Sequence, residues 1–176
     1  MLPAAHMGLT VAIVRMFETR SKSRWVDYRL LLAASLIPDM LDKPLAYLLF
    51  NRSIYDEGRS FGHSVAFLLL LGVAGLIYRL WRKDFLLATL FLGTAMHDIL
   101  DAMWRHPGIF FWPLYGWSFP PPTGEAWQGA IYFAGLRVSQ LRMLDTLGEL
   151  LLLYFFLRLA LNDKLTDFLK SGRLRY

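Results

Sequence analysis

Apolar residues along this chain fall in long uninterrupted runs, without the alternation of a half-buried strand. Val65 to Tyr78 and Phe85 to Met96 contain no charge, and Met143 to Leu157 contains only Asp145 and Glu149. A helix needs about 20 residues to cross the hydrocarbon layer of a bilayer. With their flanks these runs approach that length as His63 to Leu80, Phe85 to Trp104 and Leu141 to Leu161. Two more runs precede them, His6 to Phe17 and Tyr28 to Phe50. The second is interrupted by Pro38, Asp39, Asp42, Lys43 and Pro44, which predicts a broken helix whose halves meet at the Pro38 to Pro44 motif. Pro107 to Gly135, rich in proline and aromatics, reads as an irregular hairpin or interfacial loop. The expected fold is an all-α, polytopic membrane bundle of four or five embedded helices, forming one domain over residues 1–176.

Composition agrees with a bilayer environment. Of the 176 residues 56% are hydrophobic and 19% charged, and the mean hydropathy is +0.37, whereas soluble chains are about 45–50% apolar and about 25% charged. The absence of cysteine excludes a disulfide scaffold and a cysteine-ligated zinc or iron–sulfur site. The opening MLPAAHMG has no basic segment and carries Pro3 and His6 where the apolar core of a signal would start, so no cleaved signal peptide is expected.

Charge orients the bundle. Arg15, Arg20, Lys22, Arg24 and Arg29 surround the first connection, Arg79, Arg82 and Lys83 fill a tight turn, and Arg158, Lys164, Lys170, Arg173 and Arg175 follow the last run. If the helices alternate, these regions share one side, which the positive-inside rule makes cytoplasmic. Arg52, Arg59, Arg105, Arg137 and Arg142 fall on the other side. The cationic excess therefore reflects topology. Most aromatics lie opposite the basic clusters, so a nucleic-acid face of interleaved basic and aromatic residues is not expected.

The non-cytoplasmic end then gathers His6, Asp39, Asp42, His63, His97 and Asp101. His97 and Asp101 are four residues apart and Asp39 and Asp42 three, so each pair shares a helical face. Ionisable groups at membrane depth are costly enough to imply a function, and carboxylates aimed at one volume repel unless a cation sits among them. Mixed nitrogen and oxygen donors favour zinc, with manganese or iron as alternatives, over calcium. A single histidine near a helix end, such as His6 or His106, is more often an interfacial or hydrogen-bonded residue than a ligand. Asp145 and Glu149, four apart, either join the site or serve as an interfacial partner of Arg142 and a protonated carboxyl in the bundle. Asp98 is expected outside the ligand set, in its surroundings or at the surface. Trp104, Phe110, Phe111, Trp112, Tyr115, Trp117 and Phe119 read as an interfacial belt, or as a lid over an acyl chain.

Four segments in this order carry a resemblance: AAHMG at Ala4 to Gly8, SLIPDMLDKP at Ser35 to Pro44, GRSFGHS at Gly58 to Ser64, and HDILDAMWRHP continuing to FFWPLYGWSFP, His97 to Pro120. Over most of its length the chain resembles the membrane-bound metal-dependent hydrolases, a group also described as inner-membrane-associated hydrolases. The resemblance implies metal ligation by His6, Asp39, Asp42, His63, His97 and Asp101, with Arg59 nearby. A related variant of the family spaces its first acidic pair as Pro-Asp-x-Asp, whereas two residues separate Asp39 from Asp42 here. The group is distantly similar to the all-helical zinc-dependent phospholipases C and single-strand nucleases. That analogy implies water activated by the cation, an aspartate, Asp39 or Asp101, taking its proton, and Arg59 clamping a phosphate oxygen. Arg59 also reads as a lipid-headgroup anchor. The expected function is hydrolysis of a phosphoester in a lipid or lipid-linked substrate by a multi-pass inner-membrane protein. The alternative is a non-catalytic membrane protein that carries a metal ion or proton.

Overall fold

A computed structural model describes residues 1–21, 25–46, 58–120 and 140–174, and every regular element among them is helical. Lys22, Arg24, Arg52, Arg137, Arg175, the end of the expected run to Phe50 and the loop from 121 to 135 lie outside the described residues, as does the Arg142 side chain. The elements are α1 Pro3–Ser21, α2 Tyr28–Ala34, α3 Ile37–Pro44, a 3₁₀ turn Phe61–His63, α4 Val65–Arg82, α5 Leu86–Leu100, a 3₁₀ turn Met103–Arg105, α6 Pro107–Phe110, α7 Gln140–Leu161 and α8 Leu165–Ser171.

Local chemistry sets most of the helix ends. The Asp27 carboxylate accepts the amides of Arg29 and Leu30 at the start of α2, and Ser64 Oγ accepts that of Phe67 at the start of α4. Lys83 closes α4 in the left-handed conformation. The expected break in the second run is present but lies earlier, at Ser35 and Leu36, and the Pro38–Pro44 motif is itself helical as α3. The physical reason is proline chemistry. Pro38 has no N–H to continue α2 but is tolerated in the first turn of a new helix, and Pro44 stands in the last turn. Likewise α5 stops at Leu100, short of the expected Trp104, because Ala102 turns the chain at positive φ.

The long helices alternate in direction. At one end Leu2 N donates to Asp145 Oδ1 at 2.9 Å, tying the starts of α1 and α7 together. At the other, Trp25 packs on Phe85, Arg79 lies over the Phe85 ring, and Tyr28 N donates to Gly172 O. The apolar core, Val11, Val14, Val26, Tyr28, Leu31, Leu32, Phe155, Leu159, Phe168 and Leu174, fills the half nearer these basic residues. The opposite half buries polar groups, among them His6, Ser35, Asp42, His63, Ser64, Thr94, His97 and Asp98.

Outward faces are apolar. On α4 Leu69, Leu70, Val73, Leu76, Ile77 and Leu80 are all more than half exposed, a surface that water would not support at this density. Among the described helices, only α4 combines the length and apolarity of a full crossing. The apolar α5 is shorter, with 15 residues. The expectation of several complete crossings therefore rests on one helix that meets both criteria.

Near Gly8 and Gly148 the α1–α7 contact has almost no free space. A Cβ at Gly8 would strike the Gly148 carbonyl, and one at Gly148 would lie 2.6 Å from Ala5 Cα and O. Small residues let the two backbones touch, as in membrane helix pairs generally. Gly148→Leu is therefore expected to cost about 1–3 kcal/mol or more by overpacking, read as a lowered thermal midpoint in detergent. Gly72→Ala, whose Cβ would meet Phe91 at an ordinary 3.4 Å, should be neutral or slightly stabilising in the same assay.

Candidate metal centre

Five side chains from four parts of the chain converge in the polar half of the bundle. His97 is their hub. Its Nε2 lies 3.3 Å from His63 Nε2, 3.8 Å from Asp101 Oδ2 and 4.0 Å from Asp39 Oδ1. The His6 ring stacks on the His97 ring at 4.1 Å, and His6 Nε2 is 3.1 Å from Asp101 Oδ1. Two triads result, His6–His97–Asp101 and Asp39–His63–His97, which share His97.

The two central rings are oriented from behind. His97 Nδ1 is 2.7 Å from the Ser35 carbonyl, an acceptor that the break after α2 releases from the helical ladder, so Nδ1 carries the proton. His63 Nδ1 lies 2.7 Å from Asp42 Oδ2. Asp42 also accepts the amides of Ser60 at 2.7 Å and Gly62 at 2.8 Å. A carboxylate that already accepts two amides makes Nδ1 the donor on His63 as well. Glycine at position 62 is part of this cradle, since a Cβ there would lie 3.0 Å from Pro38 and 3.2 Å from Asp42 Oδ1.

With both Nδ1 atoms protonated, the two Nε2 lone pairs face each other across 3.3 Å. That arrangement is repulsive unless something positive lies between them. Two nitrogens each about 2.0–2.1 Å from a tetrahedral zinc ion are themselves about 3.3 Å apart. In the fully buried His6, Nδ1 makes no hydrogen bond among the described residues, and Nε2 has Asp101 Oδ1 beside it at 3.1 Å. The donor set, three imidazoles and two carboxylates, suits zinc and tolerates manganese or iron.

Each carboxylate already has a cation beside it. Lys43 Nζ is 2.6 Å from Asp39 Oδ2, Arg59 Nη2 is 3.1 Å from Asp101 Oδ2, and the Met1 amino group is 3.2 Å from Asp101 Oδ1. Arg59 is thus part of the cluster. Asp42 stands behind His63, outside both triads. Asp98 is not at the surface. It is 2% exposed, with neither carboxylate oxygen hydrogen-bonded among the described residues. Asp145 holds the Leu2 amide, and Glu149 is exposed, outside the bundle interior. Sequence reasoning missed the Ser35 carbonyl and the Lys43 contact. Only the second had a signal, its spacing of four from Asp39.

A family model described as YdjM inner membrane protein matches residues 1–165. The chain belongs to the YdjM inner membrane protein family. It is accordingly a protein of the inner membrane, and the exposed apolar faces of this family member have a bilayer to meet. No curated protein and no solved structure matches the chain.

The Asp42 contact generates a direct test. Asp42→Asn keeps the shape but frees His63 to rotate or change tautomer. Zinc affinity measured by calorimetry should fall about 10–100-fold, the usual effect of losing a carboxylate behind a ligating histidine, while the helical circular dichroism stays unchanged.

Proposed function

We propose that this protein is a membrane-embedded, metal-dependent hydrolase acting on a phosphoester of a lipid or lipid-linked substrate. The observation that carries the reading is the pair of imidazoles held at Nδ1 by Ser35 and Asp42 so that their Nε2 atoms lie 3.3 Å apart. The ligand set is His6, His63, His97, Asp39 and Asp101, with Asp42 orienting His63. A divalent cation held there supplies a Lewis acid that polarises a phosphoryl oxygen and brings the pKa of water toward about 7.

The protein's own residues supply the rest. Asp39, partly exposed, accepts a proton from attacking water. Arg59, at 18% side-chain exposure, stands at the rim and exchanges its contact with Asp101 for a non-bridging phosphate oxygen, a task suited to its planar fork. The lipid character of the substrate is supported by what surrounds the opening. Met40, Leu41 and Phe61 are exposed beside Asp39 and His63, and Phe61 meets Trp112 and Phe119 edge-on at 5.1 and 5.0 Å. The outermost aromatics, Trp104, Tyr115 and Trp117, suit a headgroup-level belt. We place the site on the non-cytoplasmic side of a multi-pass bundle, opposite the basic turns.

The carrier reading needs a polar path through the bundle. Buried polar groups do continue inward, to Thr10, Thr94 and Asp98. Beyond them a ten-residue apolar core lies in the other half, which favours a catalyst over a carrier.

Two variants separate the roles. Asp101→Asn should lower zinc content and hydrolysis together. Arg59→Lys should keep the metal while turnover of a phosphodiester lipid probe falls about 10–100-fold, as expected for a lost charged hydrogen bond of about 1.5–3 kcal/mol. Metal or proton flux through liposomes that depends on Asp101, with no hydrolysis by a zinc-loaded wild type, would replace the enzyme with the carrier.

A further inference from the structure

At the basic end, remote from the histidines, a cavity of about 660 Å³ opens between α1 and α7. Arg15 and Arg20 of α1, Arg158 of α7 and Lys164 after it line this cavity, and among the described residues no carboxylate does. Glu18 of α1, which accepts from Tyr28 Oη at 2.7 Å and from Val26 N at 3.2 Å, does not line it. Asp167, 3.6 Å from Lys164, does not line it either. Arg15 is held in place by aromatic faces, its guanidinium 5.8 Å from the rings of both Tyr28 and Phe155.

We infer that this cavity binds an anionic membrane phospholipid, with the phosphate among the cations of α1 and α7 and an acyl chain along the apolar wall. Topology alone places cations on this side of the membrane. It does not require that two helices far apart in sequence aim them into one cavity. The remaining wall is largely apolar, with Val11, Leu151 and Phe155 beneath the cations. Met16 and Tyr154 are about half exposed at its edge, where a lipid chain can enter. A free inorganic anion would use only the cations and leave that wall unoccupied. Basic pockets between membrane helices suit anionic headgroups for these reasons. The site is separate from the histidine cluster, and its occupancy would clamp α1 against α7.

The test uses the full chain, purified in detergent and offered equimolar phosphatidylglycerol and phosphatidylcholine, with retained lipid counted by native mass spectrometry. Phosphatidylglycerol should be retained at least about tenfold over phosphatidylcholine. Arg15→Gln with Arg158→Gln should abolish the preference, and Arg20→Gln alone should reduce it. Arg82→Gln with Lys83→Gln removes as much charge at the same end but away from the cavity, and should leave the preference intact. If the double cavity variant fails to fold, Arg20→Gln and the rise in wild-type thermal midpoint with phosphatidylglycerol carry the test. Equal retention of both lipids, equal loss in the Arg82 and Lys83 control, or displacement of the lipid by millimolar inorganic phosphate would overturn the proposal. The last outcome would make the site one for a soluble anion.

Discussion

Two imidazoles held so that their Nε2 atoms face each other at 3.3 Å are the constraint on which the polar half of this protein depends. Neither ring can turn away. His97 is fixed by a backbone carbonyl, and His63 by a carboxylate that also accepts two amides. Held in this way, the pair is costly as a structural feature alone, which supports the proposed metal site. A buried lone pair left without a partner costs about 1–3 kcal/mol, and neutral rings would set two of them against each other. Of the cations around the cluster, Lys43 sits on the outer oxygen of Asp39, whereas Arg59 sits on Asp101 Oδ2, the oxygen 3.8 Å from His97 Nε2, and both balance carboxylate charge.

The fold is arranged to keep that geometry inside a thin bundle. α1 carries His6 and reaches the site only because Gly8 and Gly148 let it touch α7. The break at Ser35 both ends α2 and supplies the carbonyl that orients His97, and the helix after the break carries both Asp39 and Asp42. An apolar core at the other end anchors the same helices. The polar and apolar halves thus divide the work of chemistry and stability along the bundle axis.

Much of this was legible in the sequence, for physical reasons. Apolar runs too long for a soluble chain predicted the helices, and alternation with clustered cations placed His6, Asp39, His63, His97 and Asp101 at one end, where the structure brings them together. Boundaries were less legible. Pro38 announced a break, but a proline can stand inside the first turn of a helix as well as before it, so its position could not say that the break falls at Ser35. The role of Asp42 was hidden too. Spacing puts Asp39 and Asp42 on one helical face, but only the packing of the Gly58 to Ser64 segment against α3 shows that Asp42 meets Nδ1 of His63 while Asp39 faces Nε2. Asp98 shares the apolar context of its neighbours, and no pattern along the chain distinguishes an inward from an outward carboxylate there.

X-ray absorption at the metal edge of the purified protein, compared between wild type and His97→Ala, tests the central claim most directly. His97 belongs to both triads, so the account predicts imidazole and carboxylate scattering at about 2.0–2.2 Å in the wild type and loss of bound metal in the variant. A wild type that takes up no divalent metal, or a His97→Ala protein that keeps a full complement with unchanged imidazole scattering, would contradict it.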